Sequence, residues 1–335
     1  MSDRTIAIVG DGAMGTVCAI MLAENGHPVR LWSAFADAAA EMARTRENRR
    51  FLPGCRLDER IEVTGDDSQA LRGAGLILSA VPTQFMRAVW RRLGPHCPPR
   101  VGICSVAKGI ENHTLFRPTQ VLQDVLDGGR VDRPVAALSG PSIAPEVARR
   151  LPASVAVASN HPALADRVQV LLKRPYFRVY TNRDLVGLEI AGATKNIIAI
   201  AAGILDGLAA GDNAKAALVT LGLAEIARLA VKMGGRAETF FGLAGVGDLI
   251  TTCTSPIGRN RCLGQAVGQG KSLQQALAEA HGVVEGVATT ASVVELAARE
   301  GVEMPITSAV HDILFSACPP AQAIAHLMAR PLKAE

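Results

Sequence analysis

The chain has no Cys-x-x-Cys pair, no dense run of one charge, no internal repeat and no low-complexity tract. Each absence excludes something. Its seven cysteines (18, 55, 97, 104, 253, 262 and 318) are odd in number and scattered, with no histidine nearby at metal-binding spacing. They read as reduced thiols packed as small hydrophobes, so neither a metal site nor a disulfide framework is expected. Basic residues cluster only in short groups such as 44–50, and the net charge is a mild +4. Nucleic acid is therefore not an expected partner. The opening MSDRTIAIVG is interrupted by glycine too soon for a signal h-region. The uncharged run 196–205 falls short of the roughly eighteen residues that a bilayer span needs. A cytoplasmic protein that does not span a membrane is expected.

What is present points to a large core. At 335 residues and 49% hydrophobic content the chain is long for one domain, so two are expected. Residues 5–9 (TIAIV) form a β-branched run suited to a strand buried on both faces. Gly10-Asp-Gly12-Ala13-Met14-Gly15 follows at once, and then a stretch of helical spacing ending at Gly26. This is GxGxxG between a strand and a helix. Gly10 permits the tight turn, Gly12 lets backbone approach a pyrophosphate, and Gly15 lets helix and strand pack closely. The helix N-terminus offers its free N–H groups to the anion. Val29–Trp32 reads as the second strand, whose end should carry an acid for the ribose of NAD or an arginine for the phosphate of NADP. Ser33 and Ala34 stand there instead, with Asp37 the nearest acid, so the position leaves cofactor preference open.

Further strands are expected at 61–64, 76–81, 101–107 and 135–138, alternating with helices, which predicts a parallel doubly wound sheet. Lys108 falls beyond the end of the fifth strand, where ligands sit in such sheets, although a solvated loop lysine is the plain alternative. Ser139-Gly140-Pro141-Ser142 repeats the strand–turn–helix arrangement. Residues 154–158 and 177–181 read as additional edge strands around a helix at 162–173. From 184 onward only helical periodicity is visible. The expected fold is thus α/β, a Rossmann-like doubly wound, mostly parallel sheet followed by an all-α domain, with domains at 1–184 and 185–335. The last residues, 333–335, read as a frayed tail.

The helical part begins with EIAGATKNIIAIAAGILDG, in which Lys195 is the only charge between Glu189 and Asp206. A helix apolar on every face belongs in an interior, where lysine is rarely found unless paired or working. The alternative is a lysine that snorkels to water. Three more clusters set polar groups among small or apolar residues: Asp248 at the end of a flexible Gly-rich loop (242–248), the run 251–261 with Arg259 and Asn260, and Glu285 in the turn Val283-Val284-Glu285-Gly286. Each alone could be a helix cap or a loop ion pair. Together they match a small phosphorylated substrate, for which arginine offers a fork and lysine a point charge.

On these stretches the chain resembles the bacterial-type NAD(P)-dependent glycerol-3-phosphate dehydrogenases, from Ile6 to about residue 315. The most specific segments are 195–203, 211–215, 243–249, 255–261 and 284–286, with 106–109 and 139–146 also fitting. The resemblance implies hydride transfer between NAD(H) or NADP(H) and C2, interconverting sn-glycerol 3-phosphate and dihydroxyacetone phosphate for phospholipid synthesis, in a homodimer. It implies Lys195 as general acid/base, Asp248 orienting it, and Lys108 beside it. Lys108, Gly140, Ser142, Lys195, Asp248, Gly258, Arg259 and Asn260 would surround the substrate. Gly10, Gly12, Ala13, Met14, Gly15, Lys108, Ala144, Arg259, Val283 and Glu285 would face the cofactor. The chain departs from the family pattern at Ala13, Met14 and Ala34, where a hydroxyl, an aromatic ring and a basic group are usual. It departs also at Gly258, which replaces a serine, and at Thr194, which replaces an apolar residue. Ketopantoate and hydroxy-acid dehydrogenases share the two-domain plan and a lysine but do not need the 255–261 cluster. A nucleotide-sensing protein that had lost catalysis would be expected to have lost Lys195.

Overall fold

The β-branched opening run becomes β1 (Ile6–Val9), buried at all its positions. The structure is a computed structural model and describes residues 5–128, 132–280 and 282–331; the expected tail at 333–335 lies outside the described residues. After β1 come α1 (Ala13–Glu24), β2 (Val29–Trp32), α2 (Ala36–Thr45), β3 (Ile61–Thr64), the single turn α3 (Asp67–Ala70), β4 (Leu76–Ser79), α4 (Thr83–Leu93) and β5 (Gly102–Ser105). The unit continues with α5 (Pro118–Asp127), β6 (Val135–Ser139), α6 (Ala144–Ala148), β7 (Ala153–Ser159), α7 (Pro162–Leu172) and β8 (Phe177–Asn182).

These strands form one sheet in the order β3-β2-β1-β4-β5-β6-β7-β8. All neighbours are parallel except β6 and β7. Along β1 the pleat sends Ile6 and Ile8 into one core with Val17 and Leu22 of α1, and Ala7 and Val9 into another with Trp90 and Leu122. Burial on both faces is why the strand reads as an unbroken apolar run. One sequence expectation is corrected here: β7 is not an edge strand but an inner one, hydrogen-bonded to β6 on one side and β8 on the other. The strand order reverses at β1, which lies between β2 and β4. A crevice at such a switch point is where open α/β sheets take their ligands.

The chain divides into two compact units. The first holds residues up to Lys108 together with Phe116–Glu189, and the second holds Gly109–Leu115 together with everything from Ile190. The division falls inside a continuous helix, α8 (Leu185–Gly207). Within the second unit, Ser292 Oγ donates to the Ile110 carbonyl at 3.0 Å and so fastens the Gly109–Leu115 segment.

The rest of the second unit is helical: α9 (Asp212–Lys232), α10 (Asp248–Thr254), α11 (Arg259–Gly268), α12 (Leu273–Glu279), α13 (Glu285–Glu300), α14 (Pro305–Phe315) and α15 (Pro320–Met328). No strand follows β8 among the described residues. By length and composition α8 could cross a membrane, but 94% of its most apolar window is buried inside the protein. That is the place for a helix apolar on every side.

Glycines bring α8 and α11 into backbone contact. A Cβ on Gly264 would stand 2.0 Å from the Ile200 carbonyl oxygen, and one on Gly203 would stand 2.0 Å from that of Arg261. A charged cluster ties the same region: Asp206 of α8 pairs with Lys215 of α9 and, at 2.6 Å, with Arg261 of α11. Elsewhere Glu225 of α9, 1% exposed, caps α14 from outside. It accepts from the Ile306 and Thr307 N–H groups, both at 2.9 Å, and from Thr307 Oγ1 at 2.7 Å. Burial nonetheless outweighs these donors and raises its pKa above the ordinary 4.5.

Two outcomes are expected from this packing. Gly264→Ala must push α8 and α11 apart, and overpacking of this kind costs about 1–3 kcal/mol, visible as a lower urea midpoint. For Glu225 the folded-state pKa lies above the unfolded value, so its contribution to stability is complete below pH 4.5 and is lost as pH rises through the folded pKa. Glu225→Gln removes that titration. The melting temperature of the wild type, relative to this variant, should therefore fall as pH rises from about 4.5 towards neutrality.

Candidate functional site

In the first unit the glycine loop is shaped by close backbone approach. Gly10 has φ +109°, and a Cβ there would meet the Ala80 carbonyl oxygen at 2.8 Å. A Cβ on Gly15 would lie 2.1 Å from the Gly10 oxygen, whereas one on Gly12 would meet nothing within 4 Å. The side facing Gly12 is therefore open to a ligand. Ala13 and Met14 begin α1, which has no side-chain cap and no acidic residue in its first turn. An uncapped N-terminus without acids favours an anion, so the loop fits the diphosphate of a dinucleotide. The loop is pinned from behind: Thr16 Oγ1 and Asn48 Nδ2 both donate to the Asp11 carbonyl, at 3.2 and 2.6 Å.

A second group in this unit gathers beyond β5 and β6. Lys108 Nζ donates to the Gly140 carbonyl at 3.2 Å, and Ser142 Oγ donates to the same oxygen at 3.0 Å. Lys108 is half-buried rather than a fully solvated loop lysine. Ala144, expected by resemblance to face the cofactor, is the first residue of α6 and is nearly buried.

In the second unit Lys195 is 6% exposed and does not reach out to water. Its Nζ donates to Asp248 Oδ1 and to Thr252 Oγ1, each at 2.5 Å. Asp248 is 2% exposed and is the first residue of α10. The sequence suggested a flexible loop before it. Instead Leu243–Gly247 is wound into a wide π-type turn. Gly245 is needed there for space, since a Cβ would stand 2.3 Å from the Phe240 carbonyl oxygen. Thr252 lies one helical turn after Asp248 and donates to the Asp248 carbonyl at 2.6 Å. The sequence pattern overlooked Thr252, although a spacing of four residues on a helix puts it on the face of Asp248. Thr194, the departure next to Lys195, is fully buried, and its hydroxyl is satisfied by the Ile190 carbonyl at 2.6 Å. Cys253 lies close by, and burial pushes its thiol up to about 12, which makes it a packing group rather than a nucleophile.

The remaining candidates meet at the start of α11. Gly258 occupies the N-cap position and supplies no side-chain cap. Arg259, exposed, donates to the Val283 carbonyl at 2.6 Å. Asn260 Oδ1 accepts from the Gly286 N–H at 3.0 Å. Gly286 is close to α8 as well, because a Cβ on it would lie 3.0 Å from the Asn196 carbonyl oxygen. The 283–286 turn, carrying Val283 and Glu285, is thus brought against the Arg259-Asn260 pair and next to the Lys195 segment. Arg261, read in the same polar run, turns instead to Asp206. A cavity of about 450 Å³ lies elsewhere in this unit, between α13, α14 and α15, and none of the candidate residues lines it.

A buried lysine held by a carboxylate and a hydroxyl can give and take a proton at a fixed point. A basic, uncapped helix start can hold an anion. These are the parts a dehydrogenase of a phosphorylated alcohol requires.

Comparison with known proteins gives a consistent picture. Residues 5–165 match the sequence model for the NAD-dependent glycerol-3-phosphate dehydrogenase N-terminus, and residues 184–325 match that for its C-terminus. A protein of Geobacter sp. (strain M21) named glycerol-3-phosphate dehydrogenase (NAD(P)+) is 47% identical, with 98% of each chain covered. One of Geobacter sulfurreducens with the same name is also 47% identical, over 100% of this chain and 99% of its own. The crystal structure of glycerol-3-phosphate dehydrogenase from Coxiella burnetii is 40% identical with a TM-score of 0.93, covering 98% of this chain and 99% of its own.

Proposed function

The chain belongs to the NAD-dependent glycerol-3-phosphate dehydrogenase family, and on that premise we propose that Lys195 is the proton donor and acceptor of its reaction. The protein is an NAD(P)-dependent oxidoreductase acting on a small phosphorylated substrate, glycerol 3-phosphate. When bound, the nicotinamide supplies the hydride for reduction at C2 and accepts it in oxidation. The residues of the chain do the rest. In reduction of dihydroxyacetone phosphate the Lys195 ammonium gives a proton to the oxygen on C2; in oxidation neutral Lys195 takes it back. Asp248 and Thr252 hold Nζ in place, and Asp248 also provides the counter-charge while the ammonium is present.

The observation that carries this reading is Lys195 itself, a nearly buried ammonium in an apolar helix with a carboxylate and a hydroxyl both at 2.5 Å. We assign Arg259 to the phosphate group, with Lys108, Gly140, Ser142, Gly258 and Asn260 as further substrate contacts. The loop Gly10–Gly15, with Lys108, Ala144, Arg259, Val283 and Glu285, is assigned to the cofactor. The open face of Gly12 and the uncapped start of α1 support the first of these cofactor contacts. We further propose a homodimer, a cytoplasmic location and a role in supplying glycerol phosphate for phospholipid synthesis.

The reaction is measured as loss of reduced-nicotinamide absorbance on adding dihydroxyacetone phosphate, with NADH and NADPH in parallel. Lys195→Ala should lower kcat by about 10²–10⁴, the usual worth of a positioned acid/base, while cofactor binding stays near that of the wild type. A variant that kept most of its kcat would remove Lys195 from this role. Arg259→Ala should raise KM for the phosphorylated substrate at least about tenfold, the loss of one charged hydrogen bond. An unchanged KM would take Arg259 out of the phosphate site.

A further inference from the structure

At the end of β2, where a dinucleotide fold normally places its ribose-binding acid, Ser33 and Ala34 carry no charge. The structure nevertheless puts a carboxylate there. Ser33 is fully buried, and its hydroxyl donates to Asp11 Oδ2 at 2.9 Å. Asp11 is the residue between the first two glycines of the loop, and that loop is tied to β2 by the hydrogen bond from Gly10 N to Trp32 O at 3.0 Å. The Asp11 backbone is fixed as well, its carbonyl accepting from both Thr16 and Asn48. Asp11 is therefore a preorganised carboxylate, partly exposed and aimed from the glycine loop to the carboxyl end of β2.

Resting on the dinucleotide reading of this loop, we propose that Asp11 selects NAD(H) over NADP(H). Its carboxylate takes the part of the missing β2 acid: it accepts a hydrogen bond from the 2′-hydroxyl of the adenosine ribose and repels a 2′-phosphate. The cations of this region are turned to other work. Arg92 is paired with Asp67 and lies 5.2 Å over the Trp32 ring. Arg50, exposed, stacks on Phe51 at 4.9 Å and stands 6.0 Å from Phe35. Arg92 also donates to the Ala34 carbonyl at 3.5 Å, and Asp67 accepts from the Trp32 indole N–H at 3.2 Å, so these two neutralise each other beside the strand while Asp11 is held at its end by Ser33.

The test is direct titration of purified protein with NADH and with NADPH, without substrate, following the fluorescence of the reduced nicotinamide. The wild type should bind NADH about tenfold or more tightly than NADPH, the worth of one charged hydrogen bond. Asp11→Asn keeps an acceptor for Ser33 but loses the charge, so it should narrow or reverse that ratio chiefly by tightening NADPH. Asp11→Ala should weaken NADH about tenfold and leave NADPH no weaker. A wild type that prefers NADPH overturns the proposal, and loss of that preference in Arg50→Ala would transfer the ribose end to Arg50. Equal weakening of both dinucleotides in the two Asp11 variants also overturns it, as that would show only a structural role in the loop. Binding of neither dinucleotide by the wild type would overturn the dinucleotide reading together with this assignment.

Discussion

A lysine ammonium inside an apolar helix is tolerable only if its charge is met on the spot, and much of the second unit is arranged to satisfy that condition. The partner has to be an anion held at a fixed distance, because desolvating a charge without one costs several kcal/mol. Asp248 meets the requirement by opening α10, where the helix N-terminus itself favours a carboxylate. To bring it there the chain winds through the π-type turn Leu243–Gly247, which can close against Phe240 only because residue 245 has no side chain. Thr252 then completes the enclosure from the next turn of the same helix. The pair Lys195–Asp248 is thus supported by packing as much as by charge.

A related device recurs at two helix starts. Glu189 accepts from the Thr119 N–H and hydroxyl, at 2.9 and 2.7 Å, and pairs with Arg117, so it caps α5 from α8. Glu225 caps α14 from α9 in the same way. Both capped helices begin with proline, at 118 and 305. Proline suits a first helical position, and the N–H groups after it still require an acceptor. A glutamate reaching across from a long neighbouring helix provides that acceptor and joins the two helices.

Much of the first unit was legible in the sequence because its signals are local. β-branched runs, alternating helices and a glycine loop between strand and helix all act within a few residues. The inner position of β7 was not legible, since strand order depends on pairings between distant segments. Lys195 stood out because a single charge in an apolar helix breaks its pattern. Residues 242–248 misled for the opposite reason: glycine serves both for flexibility and for close approach, and only the position of Phe240 decides between them. Thr252 was lost in a run of similar hydroxyl residues, and Asp11 looked like an ordinary member of the glycine loop. In each case the meaning of the residue comes from a partner far along the chain, such as Lys195 or Ser33.

The contact between α8 and α11 has a consequence for how this protein can vary. Most cores are adjusted by exchanging side chains of similar volume, a gradual process with many tolerated steps. Where two main chains touch through Gly203 and Gly264 there is no side chain to trim or enlarge. Every substitution at these positions moves a whole helix, and with α11 moves Arg259 and Asn260 relative to Lys195. The seam leaves no neutral path by which the chain could drift to another substrate geometry in small increments. If the substrate lies where we propose, change in specificity is left to the residues at the margins of this seam, such as Gly258 and the 283–286 turn, where a side chain can be gained or lost without shifting the frame.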